Sequence, residues 1–340
     1  MAFHQHYDYG ITATSAAPDE PEAAAMAGLS FLWLEITGKC NLTCTHCYAD
    51  SGPAGTLQGT MTLEDWTGVI HQASALGCRQ LQFIGGEPTL HPDLPALIDR
   101  ARIEDFSFIE VFTNATHLNT PLIESFHDCS VHVATSFYSY DPVVHDEITT
   151  RPGSWQQTVT GLKRLVDARV PLRVGIIEME RNLGHVPGTT EFLASLGVCD
   201  VSSDRLRKVG RGESLTNITR GERFDELCGK CWKSKLCITP SGDAFPCVFS
   251  RATHVGNAKT GLASIVAGTR LQTFRSAIYQ YASTDTRASC NPYCNPNCNP
   301  DCTPYCRPNC NPDCMPSCHP NCSPECRPNC NPECSPNRYR

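Results

Sequence analysis

No apolar run near the start of the chain is long enough to cross a bilayer. The longest there, Leu29 to Leu34, falls far short of the roughly 20 residues a membrane helix needs. The opening Met-Ala-Phe-His-Gln-His-Tyr-Asp-Tyr-Gly lacks the basic segment and apolar stretch of a secretory signal. Basic residues are outnumbered, 28 Lys and Arg against 35 Asp and Glu, for a net charge of −7. The basic face that a nucleic-acid partner demands is therefore not expected. Aromatic residues make up 8% of the chain, and periodic apolar segments exclude a wholly disordered protein. These absences predict a soluble, cytoplasmic protein with neither membrane nor nucleic acid as partner. Thiols stay reduced in that compartment, so cysteines there point to metal or redox chemistry instead of disulfides.

Cysteine is what the chain has in excess, 22 in 340 residues. Twelve of them, Cys290 to Cys334, recur at every fourth residue in a tail built on Asn-Pro-x-Cys. The others form two groups, Cys40, Cys44 and Cys47, then Cys228, Cys231, Cys237 and Cys247, with Cys78, Cys129 and Cys199 standing alone. The lone residues read as small buried hydrophobes.

Residues 1–28 are rich in Ala, Pro and acids without periodicity and read as a flexible arm. From Phe31 to Val209 apolar patterns alternate in kind. Strands are predicted at Phe31–Thr37, Gln80–Ile84, Phe108–Phe112, Val131–Phe137, Leu172–Ile177 and Ser203–Val209. Helices are predicted at Thr62–Leu76, Leu94–Arg102, Pro121–Phe126, Trp155–Ala168 and Thr189–Leu196. Six strands alternating with helices imply parallel βαβ units with right-handed crossovers. Periodicity leaves open whether they form a full or partial barrel or a doubly wound sheet. The alternation stops after Gly210-Arg211-Gly212. The organisation expected is a 29–211 β/α region, a cysteine-bearing region 212–289 and a 290–340 tail.

Cys40-Asn-Leu-Thr-Cys44-Thr-His-Cys47 follows directly on the first predicted strand. Three thiolates there can bind three corners of an iron–sulfur cube and leave the fourth iron open. A structural zinc site would want a fourth Cys or His nearby, and His46 could reach a metal only with strain. The CxxxCxxC loop, with His46 before its last cysteine and Tyr48 after, resembles the signature of radical S-adenosylmethionine (SAM) enzymes. Gly85-Gly86-Glu87-Pro88, closing the second strand, resembles that family's GGEP segment.

The resemblance implies an α/β fold with a partial (β/α)6 barrel. It also implies a [4Fe–4S] cluster on Cys40, Cys44 and Cys47, with SAM chelated at the open iron, and a flavodoxin- or ferredoxin-type electron donor. Gly85, Gly86, Glu87 and Pro88 would then line the methionyl part of SAM. Thr113, Asn114, Thr135 and Ser136 lie where family members contact SAM, and Gly175–Glu178 resembles the adenine-lining segment. Any of these polar residues can equally cap a strand end.

In the second group, Pro240-Ser241-Gly242-Asp243 is a hairpin turn between Cys237 and Cys247. Spacing alone permits a zinc ribbon on Cys228, Cys231, Cys237 and Cys247. The segment resembles, up to Asn257, the SPASM and twitch extensions of radical SAM enzymes, which implies one auxiliary cluster on these four cysteines. The tail suits tandem type I turns, Asn first and Pro second. It cannot bury a core and reads as a low-complexity extension, a metal-handling segment or a docking tail.

The resemblance implies reductive cleavage of SAM and hydrogen abstraction by a 5′-deoxyadenosyl radical. The shortness of the segment before the first strand favours a small secondary metabolite as substrate, a sugar, aminocyclitol or nucleoside undergoing dehydrogenation or decarboxylation. The alternatives are maturation of a ribosomally made peptide and a non-enzymatic metal- or cluster-binding role. Truncation after Ser289 is expected to leave SAM cleavage intact, as measured by 5′-deoxyadenosine formation.

Overall fold

Apolar side chains on alternate residues of six segments build a parallel ladder. These are β1 (Phe31–Thr37), β2 (Gln80–Gly85), β3 (Phe108–Phe112), β4 (His132–Ser136), β5 (Leu172–Glu178) and β6 (Asp200–Arg205). The structure, a computed structural model, describes residues 23, 27–215, 224–228 and 230–284. By its internal packing the chain divides into two units, Ala17–Ile278 and Met1–Ala16 with Tyr279–Arg340; the first is described below. Most of the expected N-terminal arm and the whole Asn-Pro-x-Cys tail lie outside the described residues.

The strand order runs β6-β5-β4-β3-β2-β1 without reversal, and every neighbouring pair is parallel. A doubly wound sheet reverses its order at a switch point and carries helices on both faces. An unreversed order with right-handed crossovers keeps its helices on one face, which is the partial (β/α)6 barrel and resolves what periodicity left open. Among the described residues β1 and β6 are not paired with each other, so these six strands do not close into a full barrel.

Facing sides divide by chemistry. Leu32, Leu34, Leu81, Phe83, Val111 and Val133 point toward α1 (Leu63–Ala75) and α2 (Leu94–Ile103) and share one core with Trp66, Ile70, Leu97 and Ile98. The alternate residues Trp33, Gln82, Glu110 and His132 align by register on the other, concave face. There Arg173 makes a two-pronged ion pair with Glu110, both contacts 2.7 Å, and Gln82 donates to the same carboxylate. α1 begins with a capping box: the Thr62 hydroxyl accepts from the Asp65 N–H at 3.1 Å, and the Asp65 carboxylate accepts from the Thr62 N–H at 2.9 Å.

The second cysteine group joins the same sheet. β7 (Lys235–Ile238) adds in parallel to the free edge of β1, and β8 (Asp243–Phe245) and β9 (Gly256–Asn257) continue antiparallel, giving a nine-stranded sheet among the described residues. The expected turn at Pro240–Asp243 joins β7 to β8.

Three further helices close the barrel's convex side, α3 (Thr120–Asp128), α5 (Ser154–Asp167) and α6 (Val186–Ser195). α7 (Leu262–Val266) and the start of α8 (Thr269–Thr284) follow the hairpin. Two local expectations are corrected. β6 spans Asp200–Arg205 and not Ser203–Val209, because Asp-Val-Ser-Ser-Asp-Arg is a partly exposed edge strand with no strong apolar alternation. The helix α4 (Pro142–Thr149) was not expected, since it is short and buries His145, Ile148 and Thr149 with no repeating apolar stripe.

Trp66 is fully buried at the centre of the helix-side core. Trp66→Ala is expected to lower unfolding free energy by about 3–5 kcal/mol, measured by urea denaturation.

Candidate functional site

At the C-terminal end of β1 the chain leaves the sheet as a loop carrying Cys40, Cys44 and Cys47. The end of α4 holds one side of it. The Thr45 N–H donates to the Ile148 carbonyl at 2.9 Å, the Thr150 hydroxyl to the Thr43 carbonyl at 2.9 Å, and the Arg151 guanidinium to the Asn41 carbonyl at 3.1 Å. The Cys47 sulfur is near enough to oppose ionisation of both Cys40 and Cys44. Burial, reinforced by this repulsion, pushes Cys40 up to about 11 and Cys44 up to about 12. Thiols so placed give up their protons only when a cation compensates the charge.

Donors are already directed at the sulfurs. The Leu42 N–H lies 3.4 Å from the Cys40 sulfur and the Asn114 amide 3.8 Å from it. The Tyr138 hydroxyl accepts from Ser136 and donates to Cys44, and His46 meets the Tyr138 ring edge-on, centroids 5.0 Å apart. His46 is held neutral, its pKa lowered to about 4 by burial and then by the Arg211 charge, and its buried Nδ1 has no hydrogen-bond partner. Among the described residues no three His, Cys, Asp or Glu side chains converge as they would on one metal ion. In a zinc site all sulfurs stand about 2.3 Å from a single ion, whereas in an iron–sulfur cube each thiolate meets a different iron.

β2 ends against this loop. The Gly86 N–H donates to the Thr37 carbonyl and the Glu87 N–H to the Lys39 carbonyl, both at 2.8 Å. Gly85 has φ of +148°, and a Cβ on Gly86 would stand 2.2 Å from the Lys39 carbonyl oxygen, so both positions require glycine. The Glu87 carboxylate is fully buried and is consumed by protein donors. It accepts from the Thr113 hydroxyl and the Thr89 hydroxyl at 2.6 Å, the Asn114 N–H at 2.7 Å and the Thr89 N–H at 3.1 Å. Burial raises its pKa while these four bonds oppose the shift. Glu87 is thus a post tying the end of β2 to the end of β3, and the edge left for a ligand is the glycine backbone.

Most of the expected residues come together here. Gly85, Gly86, Glu87 and Pro88 flank the loop, Asn114 touches it, Thr113 supports Glu87, and Ser136 acts through Tyr138. Thr135 does not join them. It pairs in register with Val174, and both lie on the side of Val133 that faces the helices. Tyr138 as a thiol donor and Arg211 as a loop contact were not singled out by motif; the glycines flanking Arg211 were the available signal.

The second group lies beside the first. The sulfurs of Cys228 and Cys231 are 3.8 Å apart. The two share one hydrogen bond, which lowers the pKa of Cys228 and raises that of Cys231, and Cys231 also contacts Cys247. Cys237 pairs in register with Trp33, and burial raises its thiol pKa despite the Arg251 charge. Tyr48 spans the two groups, packing edge-on against Phe249 at 5.4 Å. Arg251 lies over Tyr48 and donates to the Glu35 carboxylate at 2.7 Å. A cavity of about 620 Å³ opens between loop and hairpin, lined by Glu35, Tyr48, Asp50, Asp243, Phe245 and Arg251 among others. No helix among the described residues is long and apolar enough to cross a membrane.

Two family profiles match this chain, the radical SAM superfamily over residues 34–191 and the SPASM iron–sulfur cluster-binding domain over residues 228–303. The second runs past Asn257 and takes in Cys290, Cys294, Cys298 and Cys302, which lie outside the described residues. The antilisterial bacteriocin subtilosin biosynthesis protein AlbA of Bacillus subtilis is 26% identical over 254 residues, 66% of this chain and 56% of AlbA. PqqA peptide cyclase of Streptomyces rochei is 26% identical over 270 residues, 67% of this chain and 71% of the cyclase. Streptococcus suis SuiB bound to S-adenosylmethionine superposes with a TM-score of 0.60 at 17% identity, covering 74% of this chain and 68% of SuiB, and so shares the fold. The chain spans about half the length of several of the curated relatives it matches. The small-molecule expectation is overturned by these relatives, which are named for a bacteriocin and for a peptide substrate.

Glu87→Gln would turn an amide N–H₂ toward donors that now meet a carboxylate. It is expected to cost about 1.5–3 kcal/mol of stability, measured by urea denaturation.

Proposed function

Because the chain belongs to the radical SAM superfamily and carries its SPASM extension, with a [4Fe–4S] cluster and S-adenosylmethionine plus an auxiliary cluster as cofactors, we propose that it is a maturase of a ribosomally made peptide. The observation that carries the reading is the meeting of three thiols at the end of β1 with the Gly85–Gly86 backbone edge. Cys40, Cys44 and Cys47 hold the SAM cluster, and Cys228, Cys231, Cys237 and Cys247 the auxiliary one. The bound cofactors supply a one-electron cleavage of SAM and, through it, hydrogen abstraction from substrate.

The chain's own residues set the conditions for that chemistry. Asn114 and the Leu42 N–H stabilise charge on the Cys40 sulfur, and the Tyr138 hydroxyl does the same at Cys44. Glu87 fixes the glycine edge that faces the methionyl group, and neutral His46 adds no competing charge. The naming of AlbA for a bacteriocin and of the PqqA cyclase for a peptide supports the substrate class. Products of this kind are cross-linked or oxidised residues, which makes the net reaction an oxidation in peptide-antibiotic biosynthesis. Electrons arrive from a flavodoxin- or ferredoxin-type donor. The 29–211 barrel and the 212–289 extension are the two working domains.

Anaerobic reconstitution with dithionite and SAM is expected to yield 5′-deoxyadenosine. A precursor peptide encoded beside the gene should lose the mass of one hydrogen molecule per cross-link. Joint replacement of Cys40, Cys44 and Cys47 by Ala should abolish both. A protein with intact clusters that forms no 5′-deoxyadenosine would refute the enzyme reading, and one that forms it but leaves every candidate peptide unchanged would refute the substrate class.

A further inference from the structure

The segment after β6 returns to the first cysteine loop from the side opposite α4. Arg211 meets four carbonyl or carboxylate acceptors there. Its Nε donates to the Cys44 carbonyl at 2.8 Å, one Nη to the Ser51 carbonyl at 2.7 Å and the other to the Asp50 carboxylate at 2.8 Å. Its backbone N–H donates to the Cys47 carbonyl at 3.0 Å. The approach is so close that the preceding residue must lack a side chain. Gly210 has φ of +60°, and a Cβ on it would stand 2.4 Å from the Tyr48 carbonyl oxygen and 2.5 Å from that of Cys47. Backbone, glycine and guanidinium therefore converge on Cys44–Ser51, while α4 holds Asn41–Thr45.

Three features mark this as more than surface packing. The acceptors belong to a segment with no regular secondary structure, so its carbonyls depend on outside donors. The planar guanidinium bridges several acceptors at fixed angles, which a lysine cannot do. Asp50 has a left-handed backbone, φ 52°, at the point where the loop turns away, and its carboxylate is one of those held.

We propose that Arg211 is a positioning residue for the SAM cluster, fixing the second half of the loop so that Cys44 and Cys47 present their sulfurs to the irons in the register set by Cys40. The proposal rests on the assignment of Cys40, Cys44 and Cys47 to that cluster. Arg211 touches backbone and Asp50 and takes no part in the chemistry.

The test compares wild type, Arg211→Ala, Arg211→Lys and the joint Cys40, Cys44 and Cys47 to Ala variant of the full chain, each reconstituted anaerobically. Iron and acid-labile sulfide are measured, and EPR spectra of the dithionite-reduced proteins are recorded with and without SAM. Arg211→Ala is expected to lose iron toward the content of the cysteine variant and to lose the SAM-induced change in its spectrum, while the auxiliary-cluster signal persists as the internal sign of a folded protein. Arg211→Lys, able to reach one acceptor at a time, should retain part of the iron with a weakened SAM response. Wild-type iron and SAM response in Arg211→Ala overturn the proposal. If Arg211→Ala is insoluble, Arg211→Lys decides in the same way. Parallel loss of both clusters in Arg211→Lys also overturns it, since Arg211 would then serve the whole fold. Retention of the SAM response in the cysteine variant instead refutes the ligand assignment on which the proposal rests.

Discussion

Backbone pairing along both edges of β1 is the constraint on which the rest of the molecule depends. On one edge β2 ends in Gly85 and Gly86, which can lie against the Thr37 and Lys39 carbonyls only because neither carries a side chain. On the other edge β7 brings Cys237 level with Trp33. One strand thereby sets the height of the first cysteine loop, the glycine edge and the second cysteine group. Residues about two hundred positions apart in the chain meet because a parallel ladder tolerates no slip without turning every side chain to the opposite face.

Charge is handled in the same region by pairing before burial. Glu35 with Arg251, Glu110 with Arg173 and Glu87 with its hydroxyl and amide donors all sit where an isolated carboxylate would be costly. Each joins elements distant in sequence: β1 to the segment after Cys247, β3 to β5, and β2 to β3. Such pairs add little net stability over apolar packing, but an incorrect register would leave a charge unmatched. They therefore specify which strands align at the rim where the thiols gather.

Much of this was legible from residue type and spacing. β1, the glycine pair after β2 and the turn at Pro240–Asp243 are local signals, because strand alternation, obligate glycines and turn residues act over a few positions. What was not legible depends on the third dimension. Periodicity could not choose between a barrel and a doubly wound sheet, since that choice lies in strand order. Thr135 and Ser136 look interchangeable in sequence, yet pleating sends them to opposite faces. The motif marks Glu87 as lining the cofactor edge, but not that its oxygens meet Thr89, Thr113 and Asn114. α4 escaped notice for want of an apolar stripe, although its end holds the first cysteine loop.

The substrate expectation failed for a related reason. The shortness of the segment before β1 says nothing of the surface that meets a substrate. What bears on the substrate is the form of the space beside the thiols. The ladder stops at β6 without returning to β1, and β7, β8 and β9 extend the sheet from the edge of β1 that faces this gap. The concave face of the strands carries polar side chains, with Arg173 and Gln82 both meeting the Glu110 carboxylate. A small molecule is best enclosed on all sides, because desolvation strengthens each of its few polar contacts. An extended peptide needs the reverse, a face along which backbone can run while one residue is offered to the reactive centre. Here β7 takes the edge of β1 that a closed barrel would give to β6, so that edge is bounded by Cys237 of the second cysteine group.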